Sequence, residues 1–388
     1  MTEKLFYTDA YIKEFSADVL SCTEKDGLYY TELNRTAFFP EGGGQTSDTG
    51  FIGKTEITAV TEENGSVFHI SKTPLDIGKS YNCKIDWEKR FLKMQNHSGE
   101  HIVSGVVHTL FGYNNVGFHL GEDEVTVDFD GELTREQLDE VELKVNRVIY
   151  ENVPFKCWFA SEAEIKNLDY RSKLDLTENV RLVKIGEDVD LCACCAPHVN
   201  KSGEIGIVKI LDFFRHRGGV RLFLKCGALA LCDYREKYNS VREISNLLSL
   251  KQHEASDGVN RLYGELDKVR KEAYDFKMSV VKTDVEKYKD RKSVALIFSG
   301  IYNNDMQREF VNGCYENGTA LSAVFTGSDE NGYSYTVLSK VTDMKSFAKE
   351  MNTALNGRGG GRDGMIMGKV SASENEIKEY FNSLHIGG

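Results

Sequence analysis

Residues 86–112, DWEKRFLKMQNHSGEHIVSGVVHTLFG, mark the point where the hydrophobic pattern of the chain changes to a helical period. The apolar residues that share one face of the predicted helix are Phe91, Met94, Ile102, Val106 and Leu110. His97 and His101 lie four residues apart in this segment, so both imidazoles point to the same side of the helix. That face could offer two nitrogen ligands to one zinc ion. Because HxxxH pairs are also common on solvated helix surfaces, this pair alone does not distinguish a metal site from a solvated helix face.

The segments on either side of this helix predict two kinds of structure. Residues 1–88 alternate short apolar runs with Gly, Asp and Asn, which indicates short strands in a small β-barrel or sandwich. Downstream, Thr134 and Gln137 form a capping-box pattern that opens a second helix. Predicted strands follow at VRLVKIG, IGIVKILDFF and VRLFLKC. The sequence therefore predicts a small β-barrel or sandwich followed by an α+β domain.

Length and composition indicate a soluble protein of several domains. The 388 residues exceed what one core normally holds, and 40% hydrophobic with 28% charged residues is typical of globular proteins. The N-terminus has no secretory pattern, and no apolar run is long enough to span a membrane. Several of the nine cysteines cluster in DLCACCAPH, which fits a metal site in a reducing compartment better than a disulfide framework. We therefore expect a cytoplasmic protein with no membrane partner.

The net charge of −12 argues against a general affinity for nucleic acid, which needs a basic surface. Any such contact must be local, and FFRHRGGVRLFLK, residues 213–225, is the best candidate stretch. Its basic residues are Arg215, Arg217, Arg221 and Lys225. A strand with a solvated basic face is the alternative.

The second half of the chain predicts a helical segment and a further domain. Glycine and proline nearly vanish between residues 235 and 290, and a short heptad seam is formed by Val259, Leu262, Leu266, Val269, Ala273 and Phe276. Asp267 and Lys271 form an i,i+4 pair beside this seam. The seam fits a linker between domains, a helix packed on its own domain, or an arm that forms a homodimer. From residue 291 to residue 388 the predicted order is βαββα, typical of a separate α/β domain.

CCAPHVNKSGEIG, residues 194–206, contains a second pair of metal-ligand type, Cys194 and His198. Pro197 argues against a helix, so this pair should lie on a turn or a strand edge. With His97 and His101 it completes a His3Cys set suited to tetrahedral zinc.

Two cysteines compete with Cys194 for the sulfur position. They are Cys192 and Cys195, and the CxxxH spacing favours Cys194 over both. The glutamate of the first pair, Glu100, does not directly follow the first histidine as it does in HExxH. This departure argues against a metalloprotease.

Four motifs occur in the order found in a known family. FFPEGGGQTSDTG, MQNHSGEHIVSG, CCAPHVNKSGEIG and GGVRLF resemble those of alanyl-tRNA synthetase editing domains and free-standing AlaX proteins. The later GRGGGRDGMIMG resembles the glycine-rich end of the DHHA1 domain. The chain shows no counterpart of the class II aminoacylation domain, so it looks like a long-form AlaX protein. The resemblance implies a β-barrel at 1–88, a zinc-binding editing domain at 89–234, a helical linker at 235–290 and a DHHA1-like domain at 291–388.

The resemblance also implies which residues form the site. The zinc ligands fall on His97, His101, Cys194 and His198. Ser98 and Gln45 are the candidates for pairing with a substrate hydroxyl during catalysis, although a helix-surface serine and a turn glutamine remain alternatives. Substrate binding is expected at Gly42, Gly43, Gly44 and Arg221, because the glycines permit close approach to the backbone and GGVRLF belongs to the family pattern. Where the family usually has Cys-Gly-Gly-Thr-His, this chain has Cys195, Ala196 and Pro197 in the middle.

A separate contact with tRNA is expected in the tail motif, residues 357–368. Adjacent glycines can present backbone N–H groups as an anion-binding nest, and arginines on either side can bind phosphate. The residues concerned are Arg358, Gly359, Gly360, Gly361 and Arg362. A glycine loop with ordinary surface arginines is the alternative.

The implied activity is hydrolysis of the ester that joins a wrong amino acid to tRNA(Ala), without aminoacylation. Serine is the first expected misacyl group and glycine the second. Zn²⁺ would polarise a water or anchor the substrate. The competing interpretation is a tRNA-binding or regulatory protein whose zinc is only structural. A zinc hydrolase for a free amino acid derivative is less consistent with the C-terminal domain.

Overall fold

The computed structural model describes residues 1–121, 123–172, 178–362 and 364–384, in two compact units, Met1–Glu243 and Ile244–Gly388. The strands of the first unit are β1 (Glu3–Lys4), β2 (Glu14–Lys25), β3 (Leu28–Leu33), β4 (Arg35–Thr36), β5 (Gly50–Ile52), β6 (Thr55–Ile57), β7 (Ala59–Glu63), β8 (Ser66–Ser71), β9 (Ser80–Ile85), β10 (Asn115–Leu120), β11 (Val125–Phe129), β12 (Phe155–Phe159), β13 (Arg181–Ile185), β14 (Asp190–Ala193), β15 (Val208–His216) and β16 (Gly219–Cys226). Its helices are α1 (Leu5–Thr8), α2 (Trp87–Phe111), α3 (Arg135–Tyr150), α4 (Glu162–Asn167) and a 3₁₀ turn at Ser202–Ile205, while α5 (Gly227–Leu248) extends beyond residue 243.

The predicted barrel corresponds to a seven-stranded antiparallel sheet in the order β6-β5-β9-β2-β3-β8-β7. The long strand β2 pairs with β9 along its first half and with β3 along its second half. One residue, Thr58, separates the two edge strands β6 and β7, and its amide donates to Ile70 O at 2.9 Å. Because both ends of the sheet meet at β8, the sheet is nearly closed around a core that includes Val19, Leu33 and Ile57.

Helix α2 is the long helix that the histidine segment predicts. It begins where the Asp86 side chain accepts a hydrogen bond from Lys89 N, and it ends at Gly112, whose φ of 73° lies in the left-handed region. Its apolar side, with Ile102, Val103 and Val107 fully buried, packs in the core of a four-stranded sheet ordered β10-β11-β16-β15. A second sheet, β12-β13-β14, carries the cysteine motif at its edge. The capping box predicted at Thr134 is confirmed at the start of α3.

Arg90 on α2 is fully buried and joins this helix to the barrel. Its Nε donates to both carboxylate oxygens of Asp48 at 3.0 and 2.9 Å. The remaining guanidinium nitrogens donate to Ala10 O at 3.0 Å and to Ala37 O at 2.6 Å. A buried charge is tolerated only when it is paired and its donors are satisfied, and here both conditions hold. The helix that carries the two histidines is therefore fixed to the barrel.

The second unit is an α/β structure around a five-stranded sheet. Its strands are β17 (Val294–Phe298), β18 (Leu321–Ser328), β19 (Gly332–Ser339), β20 (Gly357–Arg362) and β21 (Met365–Val370). Its helices are a 3₁₀ turn at Gln252–Glu254, α6 (Ala255–Glu286), α7 (Asn304–Glu316), α8 (Met344–Ala354) and α9 (Glu374–Ser383). The βαββα order predicted from residue 291 is confirmed by β17, α7, β18, β19 and α8.

The five-stranded sheet, ordered β17-β18-β19-β21-β20, is covered on both faces. Only β17 and β18 pair in parallel. On one face Val324 packs with α7 and with Val281 near the end of α6, so the last part of the predicted linker contributes to this core. On the other face Ala323 and Phe325 pack with α8 and α9. Within the described residues, no helix combines the length and hydropathy that a membrane span requires.

The glycine run of the tail is not the nest that the sequence predicts. Residues Gly357–Arg362 form β20, an edge strand paired in antiparallel fashion with β21. An anion nest needs a residue in the left-handed region, and none of Gly359, Gly360 and Gly361 has a positive φ. Asp363 of the same motif lies outside the described residues. The nest geometry is therefore wrong, and any contact with phosphate must use this strand and the side chains around it.

Candidate functional site

Two histidines of α2 and two residues after β14 converge in the first unit. Cys194 Sγ lies 3.6 Å from His97 Nε2 and 3.4 Å from His198 Nε2. Together with His101, each of these residues offers one ligand atom, and the four atoms lie within 4.8 Å of one another. All three histidines are buried, with exposed fractions of 6% or less. Three nitrogens and one sulfur at this separation form a donor set that suits tetrahedral zinc.

The second ring nitrogen of each imidazole is already bonded to a supporting group. His97 Nδ1 donates to Gln45 Oε1 at 2.9 Å, and His198 Nδ1 is hydrogen-bonded to Ser98 Oγ at 3.0 Å. His101 Nδ1 lies 2.8 Å from Cys192 Sγ. Such partners fix the tautomer and orientation of metal-binding histidines. The three Nδ1 atoms are thus occupied, and the Nε2 atoms are left for a metal.

The geometry separates the three cysteines that compete for the sulfur position. Cys192 lies at the Nδ1 edge of His101, and burial raises the pKa of its thiol to about 12. Cys195 lies beside the glycine turn, 3.3 Å from the point where a β-carbon at Gly43 would be. Burial would raise the pKa of Cys194, but the imidazoles of His97 and His198 outweigh it and hold that pKa well below its usual value. A thiolate is the form that binds metals, so these contacts favour Cys194.

Two arginines shape the segment that carries Cys194. Arg171 binds Asp190 through Nε at 2.7 Å and Nη2 at 2.8 Å, and Asp190 Oδ2 lies 3.5 Å from His101 Nδ1. Arg181 Nη1 donates to the carbonyl oxygens of Cys194 and Ala196, both at 2.9 Å. The two guanidinium groups therefore hold the strand and turn that carry the cysteines in place through charge-assisted hydrogen bonds.

A cavity of about 610 Å³ opens onto this cluster. Its lining includes Tyr7, Gly43, Gly44, His97, Glu100, His101, Asn115, Phe118, Phe159, Arg171, Arg181 and Cys194. Gly44 has a φ of 80°, and a β-carbon there would lie 2.7 Å from the Phe118 ring, so the turn requires glycine at this position. The cavity has the size of a small-molecule site and mixes apolar rings with a few converging polar groups.

The two residues expected to recognise a substrate hydroxyl differ in whether a polar side-chain group is left unpaired in the described structure. Ser98 is fully buried and its hydroxyl is already bonded, since Val199 N donates to it at 3.2 Å and His198 Nδ1 lies beside it. Gln45 is 1% exposed, and its Nε2 is buried with no hydrogen-bond partner among the described residues. Of the two, Gln45 therefore keeps a donor that is unpaired in the described structure, next to His97 of the cluster.

Two of the expected substrate-binding residues lie outside the cavity lining. Gly42 pairs with Gln45 across the glycine turn, with both N–H···O distances at 3.1 Å. Arg221 is held by Asp128 through Nε at 2.6 Å and Nη2 at 2.7 Å. In the described structure Gly43 and Gly44 are thus the members of this predicted group that face the cavity.

The basic stretch at 213–225 is largely neutralised by acidic partners. Besides the Arg221–Asp128 pair, Arg215 binds Glu132 at 2.8 Å and Lys225 lies 3.4 Å from Asp233. Three of its four cations are therefore paired, which leaves little charge for phosphate. The acids that pair with Arg215 and Arg221 lie 83 and 93 residues away in the chain, so these pairs could not be recognised from the stretch itself.

Sequence reasoning missed Asp190, Arg171 and Arg181. Asp190 had a detectable signal, because it stands two residues before Cys192 and alternate residues of a strand share one face. The two arginines lie in segments without a motif, and only the folded chain brings them to the cluster.

Comparison with known proteins finds relatives of the same kind as the family that the sequence motifs resemble. The Threonyl and Alanyl tRNA synthetase second additional domain matches residues 180–263. The alanyl-tRNA editing protein AlaX-L of Pyrococcus horikoshii is 27% identical over 406 residues, which cover 97% of this chain and 96% of that protein. The alanyl-tRNA editing protein Aarsd1 of Danio rerio is 26% identical over 94% of this chain and 93% of its own length. Along almost its whole length the chain is therefore similar to alanyl-tRNA editing proteins.

The chain is also similar to part of a larger synthetase. The alanine–tRNA ligase of Methanobrevibacter smithii is 26% identical, and the match covers 96% of this chain but 44% of the ligase. This chain therefore corresponds to less than half of that ligase.

Proposed function

We propose that this chain hydrolyses the ester of mischarged tRNA(Ala), with seryl-tRNA(Ala) as the main substrate and glycyl-tRNA(Ala) as a second one, and that it does not aminoacylate. The relatives that it matches along almost their whole length are alanyl-tRNA editing proteins. The observation that carries the proposal is the cavity of about 610 Å³ that opens onto the His3Cys cluster. A purely structural metal needs no such access, so the cavity favours an enzyme over a non-catalytic tRNA-binding protein. We expect it to act where charged tRNA is made, in the cytoplasm.

We infer that His97, His101, Cys194 and His198 would hold Zn²⁺. When bound, the ion would supply a Lewis-acidic centre for the substrate. The donor set and the three occupied Nδ1 atoms support this assignment.

Hydrolysis of an aminoacyl ester depends mainly on orientation, because the ester is already activated. The side chain of Arg181 fixes the backbone between Cys194 and Ala196. Gly43 and Gly44, which also line the cavity, leave room for the acyl group to approach their backbone. The rings of Phe118 and Phe159 supply apolar surface that reduces contact with bulk water. In this arrangement the chain orients the ester bond while leaving space for an attacking water.

We propose that Gln45 distinguishes serine from alanine. Its Oε1 is engaged by His97, whereas its buried Nε2 lacks a partner in the described structure. A serine hydroxyl could accept from Nε2 and remove the cost of the unpaired donor, whereas an alanine methyl group could not. Sites with such polar partners reject analogues that lack the hydroxyl by several orders of magnitude.

We further propose that residues 291–388 are a DHHA1-like domain that binds tRNA. Lys345 and Lys349 of α8 and Arg358 of β20 line an open depression of about 700 Å³ beside the glycine strand. Basic side chains next to an exposed strand without bulky side chains could contact a phosphate backbone.

Deacylation of Ser-, Gly- and Ala-tRNA(Ala), measured side by side, tests the function. We expect fast hydrolysis of the seryl ester and negligible hydrolysis of the alanyl ester. Gln45→Met should lower kcat/KM for Ser-tRNA(Ala) by about a hundredfold, because it removes the donor and the support of His97. Equal rates on the seryl and alanyl esters would contradict an editing role. No hydrolysis of any ester, with tRNA binding intact, would favour the non-catalytic alternative.

A further inference from the structure

Glu100 is a buried carboxylate on the wall of the cavity that opens onto the His3Cys cluster. The residue is 3% exposed and lies on α2 directly before His101. Within the described residues, the groups of side chains that could hold a metal ion do not include it. A buried charge is unfavourable unless it is paired, so the position of Glu100 requires a partner of opposite charge.

Hydrogen bonds fix one oxygen of this carboxylate. Ser104 Oγ, one helical turn further along α2, donates to Glu100 Oε1, and Asn115 Nδ2 donates to the same oxygen at 2.6 Å. Asn115 is itself held by Gly117 N, which donates to its Oδ1 at 3.1 Å. Among the described contacts, Glu100 Oε2 accepts no hydrogen bond. The carboxylate therefore has a fixed orientation and one oxygen that remains available to a ligand.

The cations on the cavity wall do not neutralise Glu100. Arg171 is bonded to Asp190 through both Nε and Nη2. Arg181 donates through Nη1 to two backbone carbonyl oxygens of the cysteine turn. In the part of the chain that the structure describes, neither arginine forms an ion pair or a hydrogen bond with Glu100. The partner of this carboxylate is therefore expected to come from a ligand in the cavity.

The substrate of the proposed function carries a suitable group. The amino acid is joined to tRNA through its carboxyl group, so its α-amino group is free. An α-amino group has a pKa of about 8, so at neutral pH it is mainly an ammonium ion. An ammonium ion has three N–H donors and no lone pair, so it can bind a carboxylate but cannot be a metal ligand.

We propose that Glu100 binds the α-ammonium group of the aminoacyl ester through Oε2. This assignment rests on the proposed function, because the group that it binds belongs to that substrate. Gln45 and Glu100 then contact the side-chain hydroxyl and the amino group of a seryl ester, and the two contacts together orient the ester bond. The site thereby discriminates against tRNA esters of α-hydroxy acids, which have no ammonium group.

Two esters test this specificity in the wild-type chain. Seryl-tRNA(Ala) is compared with the glyceric acid ester of tRNA(Ala), in which a hydroxyl group replaces the ammonium group and the side chain is unchanged. Each kcat/KM is divided by the rate of uncatalysed hydrolysis of the same ester, because the two esters differ in reactivity. The resulting ratio should be at least about tenfold higher for the seryl ester, since it alone forms a hydrogen bond between charged groups. Equal ratios would overturn the proposal whatever the behaviour of any variant.

Glu100→Gln separates the charge of this residue from its hydrogen bonds. The amide oxygen can still accept from Ser104 and Asn115, so the variant is expected to fold, and its thermal midpoint and zinc content check this. Its kcat/KM should fall at least about tenfold for the seryl ester and stay within about threefold of the wild-type value for the glyceric acid ester. Glu88→Gln, at an exposed position of the same helix, is the matched control and should leave both values unchanged. Equal losses on the two esters would indicate a general base or a structural group and would overturn the ammonium contact.

Binding measurements distinguish the ammonium contact from the deacylase activity. The seryl amide and the glyceric acid amide of an aminodeoxyadenosine resemble the ends of the two esters and resist hydrolysis, so calorimetry can measure their dissociation constants. The wild-type chain should bind the seryl amide at least about tenfold more tightly, and Glu100→Gln should bind the two amides within about threefold of each other. This binding difference without hydrolysis of seryl-tRNA(Ala) would contradict the proposed function alone. Hydrolysis of seryl-tRNA(Ala) with equal binding of the two amides would overturn the role of Glu100 alone.

Discussion

At the scale of single residues, each histidine of the site has a supporting group at its Nδ1 atom. Ser98 is the clearest case, because its only described side-chain partner is His198 Nδ1 and its hydroxyl also accepts from Val199 N. From these contacts we infer that Ser98 orients His198, whereas the sequence predicts a role in recognising a substrate hydroxyl. Partners of this kind commonly change metal affinity when they are removed.

Ser98→Ala should lower the affinity for zinc by about 10- to 100-fold while the fold is retained. The reason is that His198 loses the group that fixes its ring orientation. Competition with a chromophoric chelator measures the affinity. Ser104→Ala on the same helix is the matched control, because Ser104 bonds to Glu100 and to no imidazole in the described contacts. Equal zinc affinities in the two variants would contradict the positioning role.

His69 gives the barrel a dependence on pH. Its Nδ1 donates to Thr31 O at 3.0 Å, and its Nε2 lies 2.8 Å from Thr36 Oγ1, so the neutral ring is satisfied. Burial lowers the pKa of His69 to about 4, whereas an unfolded histidine has a pKa of about 6.5. Between these values the unfolded state binds more protons, so the free energy of unfolding falls as the pH falls.

Between pH 7 and pH 4.5 this group should remove about 2 kcal/mol of stability. Urea unfolding of the wild-type chain and of His69→Gln at both pH values gives the measurement. The difference between the two pH values should be smaller in the variant, because other titrating groups act alike in both. An identical loss in both chains would show that His69 does not contribute.

At the scale of elements, the glycines of β20 are not equivalent. A β-carbon at Gly359 would lie 2.4 Å from Tyr335 Oη and from Met367 O, whereas one at Gly360 would have nothing within 4 Å. Gly359→Ala should therefore destabilise the second unit by about 1–3 kcal/mol, and Gly360→Ala should be neutral or slightly stabilising. Thermal unfolding monitored for both variants tests the difference. Similar midpoints would mean that the strand moves to accommodate the methyl group.

Local patterns predicted those elements whose spacing is fixed by one helix or one strand. The four-residue separation of His97 and His101 was sufficient to place them on one face of α2, and the capping box at Thr134 required only its own turn. Long-range contacts could not be predicted in this way. Arg221 meets Asp128 because of the register between β11 and β16, and Ser98 meets a ring one hundred residues away. The prediction of an anion-binding nest in the glycine run was wrong for another reason, because glycine permits both an extended strand and a nest.

At the scale of the whole molecule, an acidic chain can bind tRNA through a restricted basic surface. Changing Lys345, Lys349 and Arg358 to Glu should weaken tRNA binding by at least about tenfold and reduce its salt dependence, because fewer phosphates are neutralised. Hydrolysis at saturating tRNA should persist, since the His3Cys cluster is unchanged. The control replaces Lys289, Lys292 and Lys378, which do not line the same depression, by Glu. Equal weakening in both triple variants would indicate a general charge effect.

The buried guanidinium of Arg90 determines how the first unit comes apart. Opening the barrel alone would strip this cation of Asp48 and of two carbonyl oxygens, and losing α2 alone would leave the Asp48 carboxylate without its partner. Either partly unfolded state is several kcal/mol less stable than the loss of buried apolar area alone would predict, because one charge stays buried without its partner. Amides in β2 and in α2 are therefore expected to exchange with deuterium through the same cooperative opening. Damage to the barrel would then disrupt the His3Cys cluster by unfolding the first unit as a whole, without any signal passing along the helix.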